Sequence, residues 1–306
     1  MNNLTFTPVT THGSQVGMKK DMRFIPVLPE GLSSAGFYLR KNLRFSPSVE
    51  GLLNRAKEQV EGGYTLDWWT PTAMFNYDAL MVSAFYGMEK WDFREFYDIP
   101  RKDFTFISDS GGFQIFSQQI KVEPVDILRW MEHNADIGLT LDRPPFKSGE
   151  QTLSFNESPR ATEEDFKVSI EQSRRNYEIM ARNRQSDKLK LLQVVHGYSL
   201  RELTQFHEAV KDIEFDGHAF GANQNEPKTV ALVLGYAQTI EKERVHMFLL
   251  TGRYIVPLVI FAKRFFNHLT FDSSAFSITG ARYRKYYYPD IVGMGKIGRA
   301  SCRERV

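Results

Sequence analysis

Short apolar and β-branched runs recur along this chain, with helical stretches or polar loops between them. Eight of them read as strands: Phe24–Leu28, Ala79–Phe85, Phe104–Ser108, Ile137–Leu141, Leu189–His196, His218–Gly221, Val245–Leu250 and Leu269–Asp272. Five intervening segments space their apolar residues at helical period: Pro124–His133, Thr162–Asn183, Ser199–Val210, Pro227–Ile240 and Pro257–Phe266. Thr162 with Asp165 forms a capping box at the start of the longest helix. Pro227 and Pro257 stand where a first helical turn tolerates proline. Strands alternating with helices predict parallel βαβ units, and eight of them predict a closed α/β barrel of the (β/α)8 TIM type. No repeat or low-complexity linker divides the chain, so residues 1–296 read as one domain, with 75–290 carrying the pattern. The loops at 62–73 and 142–160 are long for a compact barrel and are expected to cover a functional site.

The end of the chain departs from this pattern. Ile297–Val306 has neither helical nor strand period and looks like translated sequencing adapter, so the barrel is expected to be cut short after Lys296, with the natural protein continuing. The only cysteine, Cys302, lies in that tail, which excludes disulfides elsewhere. With the tail set aside, the charge falls from +2 to zero, 36 basic residues against 36 acidic. A neutral protein binds nucleic acid only through a local basic patch. No run approaches the roughly 18 apolar residues of a membrane span, and no signal peptide is visible, so a cytoplasmic protein with no membrane partner is expected.

Polar residues gather at the predicted strand ends. Asp109 opens the run Asp109-Ser110-Gly111-Gly112-Phe113-Gln114 after the third strand, Asp142 follows the fourth, and His196-Gly197 ends the fifth. Gly221-Ala222-Asn223 ends the sixth, Thr251-Gly252 the seventh and Asp272-Ser273-Ser274 the eighth. A barrel brings these positions around one pocket on its C-terminal face. Singly, each Asp also reads as a helix cap or turn residue, and Gly111-Gly112 as a tight turn. Together, three acids suit a hard metal such as Mg²⁺, or a pair doing glycosidic chemistry with the third reading a ligand. A carboxylate accepts hydrogen bonds only, so Asp142 suits a partner with adjacent N–H donors, such as the Watson–Crick edge of guanine, with Phe113 stacked on its face.

These residues resemble the tRNA-guanine transglycosylases. The D-S-G-G-F-Q run at 109–114 is similar to that family's signature. Leu141-Asp142, Val194–Gly197, Phe215–Ala222 and Phe271-Asp272-Ser273 resemble its later segments in order. The resemblance implies a TIM-barrel pentosyltransferase that exchanges guanine in a nucleic acid for a 7-deazaguanine base, as in queuosine formation. It implies Asp272 as covalent nucleophile and Asp109 as proton carrier. Ser110, Gly111, Gly112, Phe113, Gln114, Asp142, His196, Gly197, Gly221 and Ala222 would bind the base. Two departures bear on which base is taken: His196 replaces the family's Gln, and Ala222-Asn223 replaces Gly-Leu. The first hundred residues fit the tRNA enzymes poorly, which raises the DNA-modifying branch, so tRNA and DNA both stand as partners. Arg282, Arg284 and Lys285, interleaved with tyrosines, would contact phosphates, with Lys263-Arg264 in the same patch. Arg174-Arg175 and Arg182–Arg184 read as a solvated helix face. Trp68-Trp69 reads either as a stacking pair or as a barrel cap. The family's zinc site is not visible, which leaves a segment beyond Lys296 as its place, and its tRNA enzymes pair as homodimers. The alternatives from other classes are a non-catalytic barrel binding a purine or nucleic acid, and a metal-dependent hydrolase.

Overall fold

The computed structural model describes residues 21–26, 77–145, 161–221, 226–241, 243–248 and 256–273. Its strands are β1 (Asp21–Pro26), β2 (Ala79–Ser83), β3 (Thr105–Asp109), β4 (Ile137–Leu139), β5 (Lys190–His196), β6 (His218–Gly221), β7 (Arg244–Met247) and β8 (His268–Ser273). Every neighbouring pair is parallel, in the order β1-β8-β7-β6-β5-β4-β3-β2. The two end strands, β1 and β2, come back into contact, so the sheet curls into a near-closed barrel with its seam between them. This is the TIM-type architecture that the alternation predicts.

The helices are α1 (Ala84–Gly87), α2 (Phe93–Phe96), α3 (Gly112–Ser117), α4 (Pro124–Asn134), α5 (Glu163–Asn183), α6 (Leu200–Val210), α7 (Pro227–Ile240) and α8 (Val256–Ala262). The last continues as a 3₁₀ turn, Lys263–Phe265. Their starts follow local chemistry. The Asp165 N–H donates to Thr162 Oγ1 at 3.1 Å, and the Thr162 N–H donates to Asp165 Oδ2 at 3.1 Å, completing the capping box of α5. Ser199 accepts the Glu202 N–H at the start of α6, and prolines open α4 and α7. Helix α5 buries Phe166, Ser169, Ile170, Ser173, Tyr177 and Met180, a stripe at helical spacing.

Register sorts the core into an inner and an outer layer. Met81 pairs with Ile107, Leu139 with Leu192, and Val194 with Ala219, so these side chains share one face of the sheet and fill the barrel. The residues between them, among them Leu80, Phe106 and Leu191, pack outward against Leu128, Trp130 and Met180. A side-chain period of two along each strand makes this division obligatory. Among the described residues no helix is long and apolar enough to cross a membrane.

Where expectation and structure differ, local bonding explains it. The run after β3 turns directly into a helix, α3, which was not expected. Strand β2 stops at Ser83 because Ala84–Gly87 coil as α1. Strand β4 ends at Leu139, two residues early, because the next segment is bonded by a helix instead. The 62–73 loop, Trp68-Trp69, most of the 142–160 loop, Ala222, Thr251-Gly252, Arg282, Arg284, Lys285 and the 297–306 tail lie outside the described residues.

Candidate active site at the carboxyl end of the barrel

The segment after β4 sets the geometry of the mouth. Thr140 donates its N–H to Leu192 O at 3.0 Å, and its hydroxyl accepts the Val194 N–H at 3.0 Å. A side-chain oxygen thus stands in for a ladder carbonyl, and the strand gives way to a segment lying along α5. There the Leu141 N–H points at Met180 Sδ, Asn176 Nδ2 donates to Leu141 O at 3.1 Å, and the Arg143 N–H donates to Ser173 Oγ at 2.9 Å. Ser169 Oγ donates to Arg143 O. Positions 169, 173, 176 and 180 share one helix face, so α5 satisfies backbone groups that the sheet leaves over. Leu141 consequently packs in the outer layer, and the Asp142 carboxylate faces His196.

Four polar side chains there are almost sealed from solvent: Asp142 at 5%, Asp272 and His196 at 3%, and His246 at 0%. Asp142 Oδ2 lies 2.6 Å from His196 Nε2, and Ser110 Oγ donates to Asp142 Oδ1 at 3.4 Å. His196 Nδ1 is buried and has no hydrogen-bond partner among the described residues. The His196 ring lies over Gly221, where an added Cβ would meet its Cε1 at 2.4 Å. On the other side, Asp272 Oδ1 lies 3.3 Å from His246 Nε2, and His246 Nδ1 is 2.9 Å from Thr270 Oγ1.

Asp109 closes β3 and is half-buried. Its Oδ2 accepts the Gly111 N–H at 3.1 Å. Burial, then the charges of Asp142 and Asp272, push its carboxyl up from 3.8 to about 7, against the lowering effect of the Gly111 and Ser110 backbone N–H groups. The structure thus brings Asp142 and Asp272 within electrostatic reach of Asp109, with Ser110, Gly112, His196 and Gly221 around the Asp142 side of the mouth. Gly197 instead lies against the start of α6, where an added Cβ would meet Leu203 N at 2.6 Å. Phe113 and Gln114 stand in the first turn of α3, and Gln114 Oε1 is buried with no partner among the described residues. Among the described residues, no group of three or more His, Cys, Asp or Glu side chains could hold a metal ion, and nothing supports a zinc site. A separate cavity of about 220 Å³ lies between the starts of α5 and α6, lined by Phe166, Tyr198 and Glu202 among others, and none of the three acids lines it.

His246 was not among the sequence-derived candidates. Its signal is parity: Thr270 and Asp272 alternate with Leu269 and Phe271 on β8, and His246 pairs in register with Thr270. A histidine inside a short barrel strand, on the same face as a strand-end acid, is the pattern to look for.

No protein-family model and no curated protein matches the chain. Similar solved structures include an oxaloacetate acetylhydrolase in complex with the inhibitor 3,3-difluorooxalacetate, at 13% identity over 87% of this chain and 79% of that one, with a TM-score of 0.43. A phosphonopyruvate hydrolase complexed with oxalate and Mg²⁺ is similar at 10% identity over 67% and 72%, with a TM-score of 0.41. QR15, an aldolase, is similar at 12% over 68% and 83%, with a TM-score of 0.37. Likeness at this level carries neither reaction nor substrate across.

The expected membership of the tRNA-guanine transglycosylases is corrected by these findings: none of these neighbours is a transglycosylase, and no family model or curated protein ties the 109–114 run to that family. With it go the guanine exchange, the pentosyltransferase class, the queuosine and nucleic-acid modification roles, and the alternative of a non-catalytic purine or nucleic-acid-binding barrel. The physical reason is local. Gly111 sits at φ +81°, and an added Cβ there would meet Phe85 Cβ at 2.4 Å. Gly112 lies beneath Asp142, whose carbonyl oxygen would be 2.4 Å from such an atom. The passage from β3 into α3 requires both glycines whatever the barrel catalyses, so the short motif identifies a turn and not a reaction.

Proposed function

We propose that the carboxyl end of this barrel is an acid–base active site in which Asp109 gives and takes a proton near neutral pH. The observation that carries this reading is the convergence of three carboxylates from β3, the segment after β4, and β8 around one mouth. One of them, Asp109, keeps access to solvent while the other two are sealed. A general acid or base works best with a proton affinity near the working pH, and two fixed negative neighbours plus partial burial supply that. Asp142 and Asp272 would then act as acceptors. Among the described residues, the groups acting on Asp109 are the two carboxylates and the Gly111 and Ser110 backbone N–H groups. Three carboxylates suit a small molecule that brings positive charge or several N–H or O–H donors.

The test is a thermal-shift series at pH 8 comparing amines, amidines and donor-rich heterocycles with dicarboxylates. Stabilisation by the donor class, lost in Asp142→Asn, supports the reading. A ligand present at 100 times its Kd adds about 2.7 kcal/mol to stability, a shift that is easily seen. Stabilisation by dicarboxylates alone, with no metal added, would refute it.

A further inference from the structure

We propose that His246 is a positioning residue for Asp272, the middle member of a relay running from the Thr270 hydroxyl through the imidazole to the carboxylate. The inference goes beyond the acid–base reading above and does not depend on Asp109 moving a proton. It shares with that reading only the place of Asp272 in the mouth.

The His246 ring is completely buried between β6 and β8, packed edge-on against Phe248 at 5.1 Å between centroids. In its uncharged form an imidazole carries one proton, on one of its two nitrogens. The groups facing the two nitrogens decide which. The Thr270 hydroxyl lies 2.9 Å from Nδ1 and also reaches Val245 O at 3.4 Å, so it can serve Nδ1 as donor or as acceptor. The Asp272 carboxylate beside Nε2 can only accept, so the ring's proton sits on Nε2 and Nδ1 is left to accept from Thr270. That N–H then faces Asp272 Oδ1 at 3.3 Å, a contact still out of line for a full hydrogen bond. The opposite tautomer would set a bare nitrogen lone pair against a carboxylate, two acceptors facing each other in a dry interior. A third group that fixes the tautomer of an imidazole, which in turn orients a reactive group, is a general device of active sites. Here the reactive end is the carboxylate. Thr270 lies two residues deeper in β8 than Asp272, so its hydroxyl sits at the inner end of the relay.

The experiment reads the ring directly and needs no ligand. The seven histidines are labelled with ¹⁵N in the imidazole, and nitrogen shifts are recorded at pH 8. His246 is assigned from the signals missing in His246→Asn, or, should that variant not fold, by through-bond correlation to its backbone. The expected result is a protonated Nε2 and an unprotonated Nδ1 in the parent. Thr270→Ser should retain this pattern because it keeps the hydroxyl. Thr270→Val, which removes the donor to Nδ1, should move the Nδ1 signal, and Asp272→Asn should move the Nε2 signal. An unprotonated Nε2 in the parent would overturn the proposal, as would a pattern indifferent to both Thr270→Val and Asp272→Asn.

Discussion

His196 Nε2 lies 2.6 Å from Asp142 Oδ2, and the two side chains are buried where β5 and the end of β4 run side by side. Neither has solvent to fall back on. Removing one partner of such a pair leaves the other's charge or polar atoms stranded, at a cost of about 3–5 kcal/mol. Replacing both by apolar side chains of similar volume avoids that stranding. His196→Leu and Asp142→Leu are each expected to lower stability by about this amount in urea unfolding. The double variant should lose less than either single one. Losses that simply add would mean that the two groups are independent despite their distance.

Asp109 makes a prediction whose sign depends on pH. Its carboxyl stands at about 7 in the folded protein against 3.8 when free. Between those values the folded state holds a proton that the unfolded chain has lost, so stability falls as pH rises through that window. One pKa unit is about 1.4 kcal/mol, so the penalty above neutrality is on the order of 4 kcal/mol at most, reduced by the solvent contact Asp109 retains. Asp109→Asn removes the titrating group. It should be more stable than the parent by about 2–4 kcal/mol at pH 8 and indistinguishable from it at pH 4. Urea midpoints at the two pH values check this, and a difference that does not change with pH contradicts it.

What the sequence revealed, and what it hid, divides along the range of the interactions. Strand β6, helix α7 and the Thr162 capping box were legible because alternation, prolines and cap residues act within a few positions. The acids at the strand ends were legible because a barrel converts chain order into a ring. The early end of β4 was not, since it depends on Ser169, Ser173 and Asn176 meeting a segment some 30 residues away. His246 was hidden for the same reason: only the register between β7 and β8 sets it beside Thr270. The family is not legible in the 109–114 run because its two glycines answer to the turn from β3 into α3.

Two glycines should respond oppositely to alanine. Gly111 holds φ +81°, with Phe85 Cβ and Ser83 Oγ where a methyl would go. Gly111→Ala should cost about 2 kcal/mol or more, from the left-handed backbone and the clash together. Gly235 lies exposed within α7, with nothing within 4 Å of an added Cβ. There alanine only restricts the unfolded chain and suits the helix, so Gly235→Ala should add about 0.5–1 kcal/mol. Thermal midpoints moving in the same direction for both would contradict the assigned backbone at position 111.

Thr140 tests whether the mouth is held by one hydroxyl. Its oxygen accepts the buried Val194 N–H and is also shared with Tyr177, whose own hydroxyl donates to Val194 O at 2.8 Å. Thr140→Val keeps the shape and removes the acceptor, stranding a backbone N–H inside the barrel wall at about 1–3 kcal/mol. Thr140→Ser keeps the acceptor and loses one methyl, worth about 0.8 kcal/mol or less. Because the same hydroxyl marks where the chain leaves the sheet, the valine variant should also loosen Asp142 and weaken any ligand bound there. The serine variant should leave ligand affinity within about twofold, under 0.5 kcal/mol. Unfolding free energies give the first comparison and thermal shifts with a donor ligand the second. If the serine variant loses the ligand as fully as the valine one, then the hydroxyl is not what holds Asp142 in place.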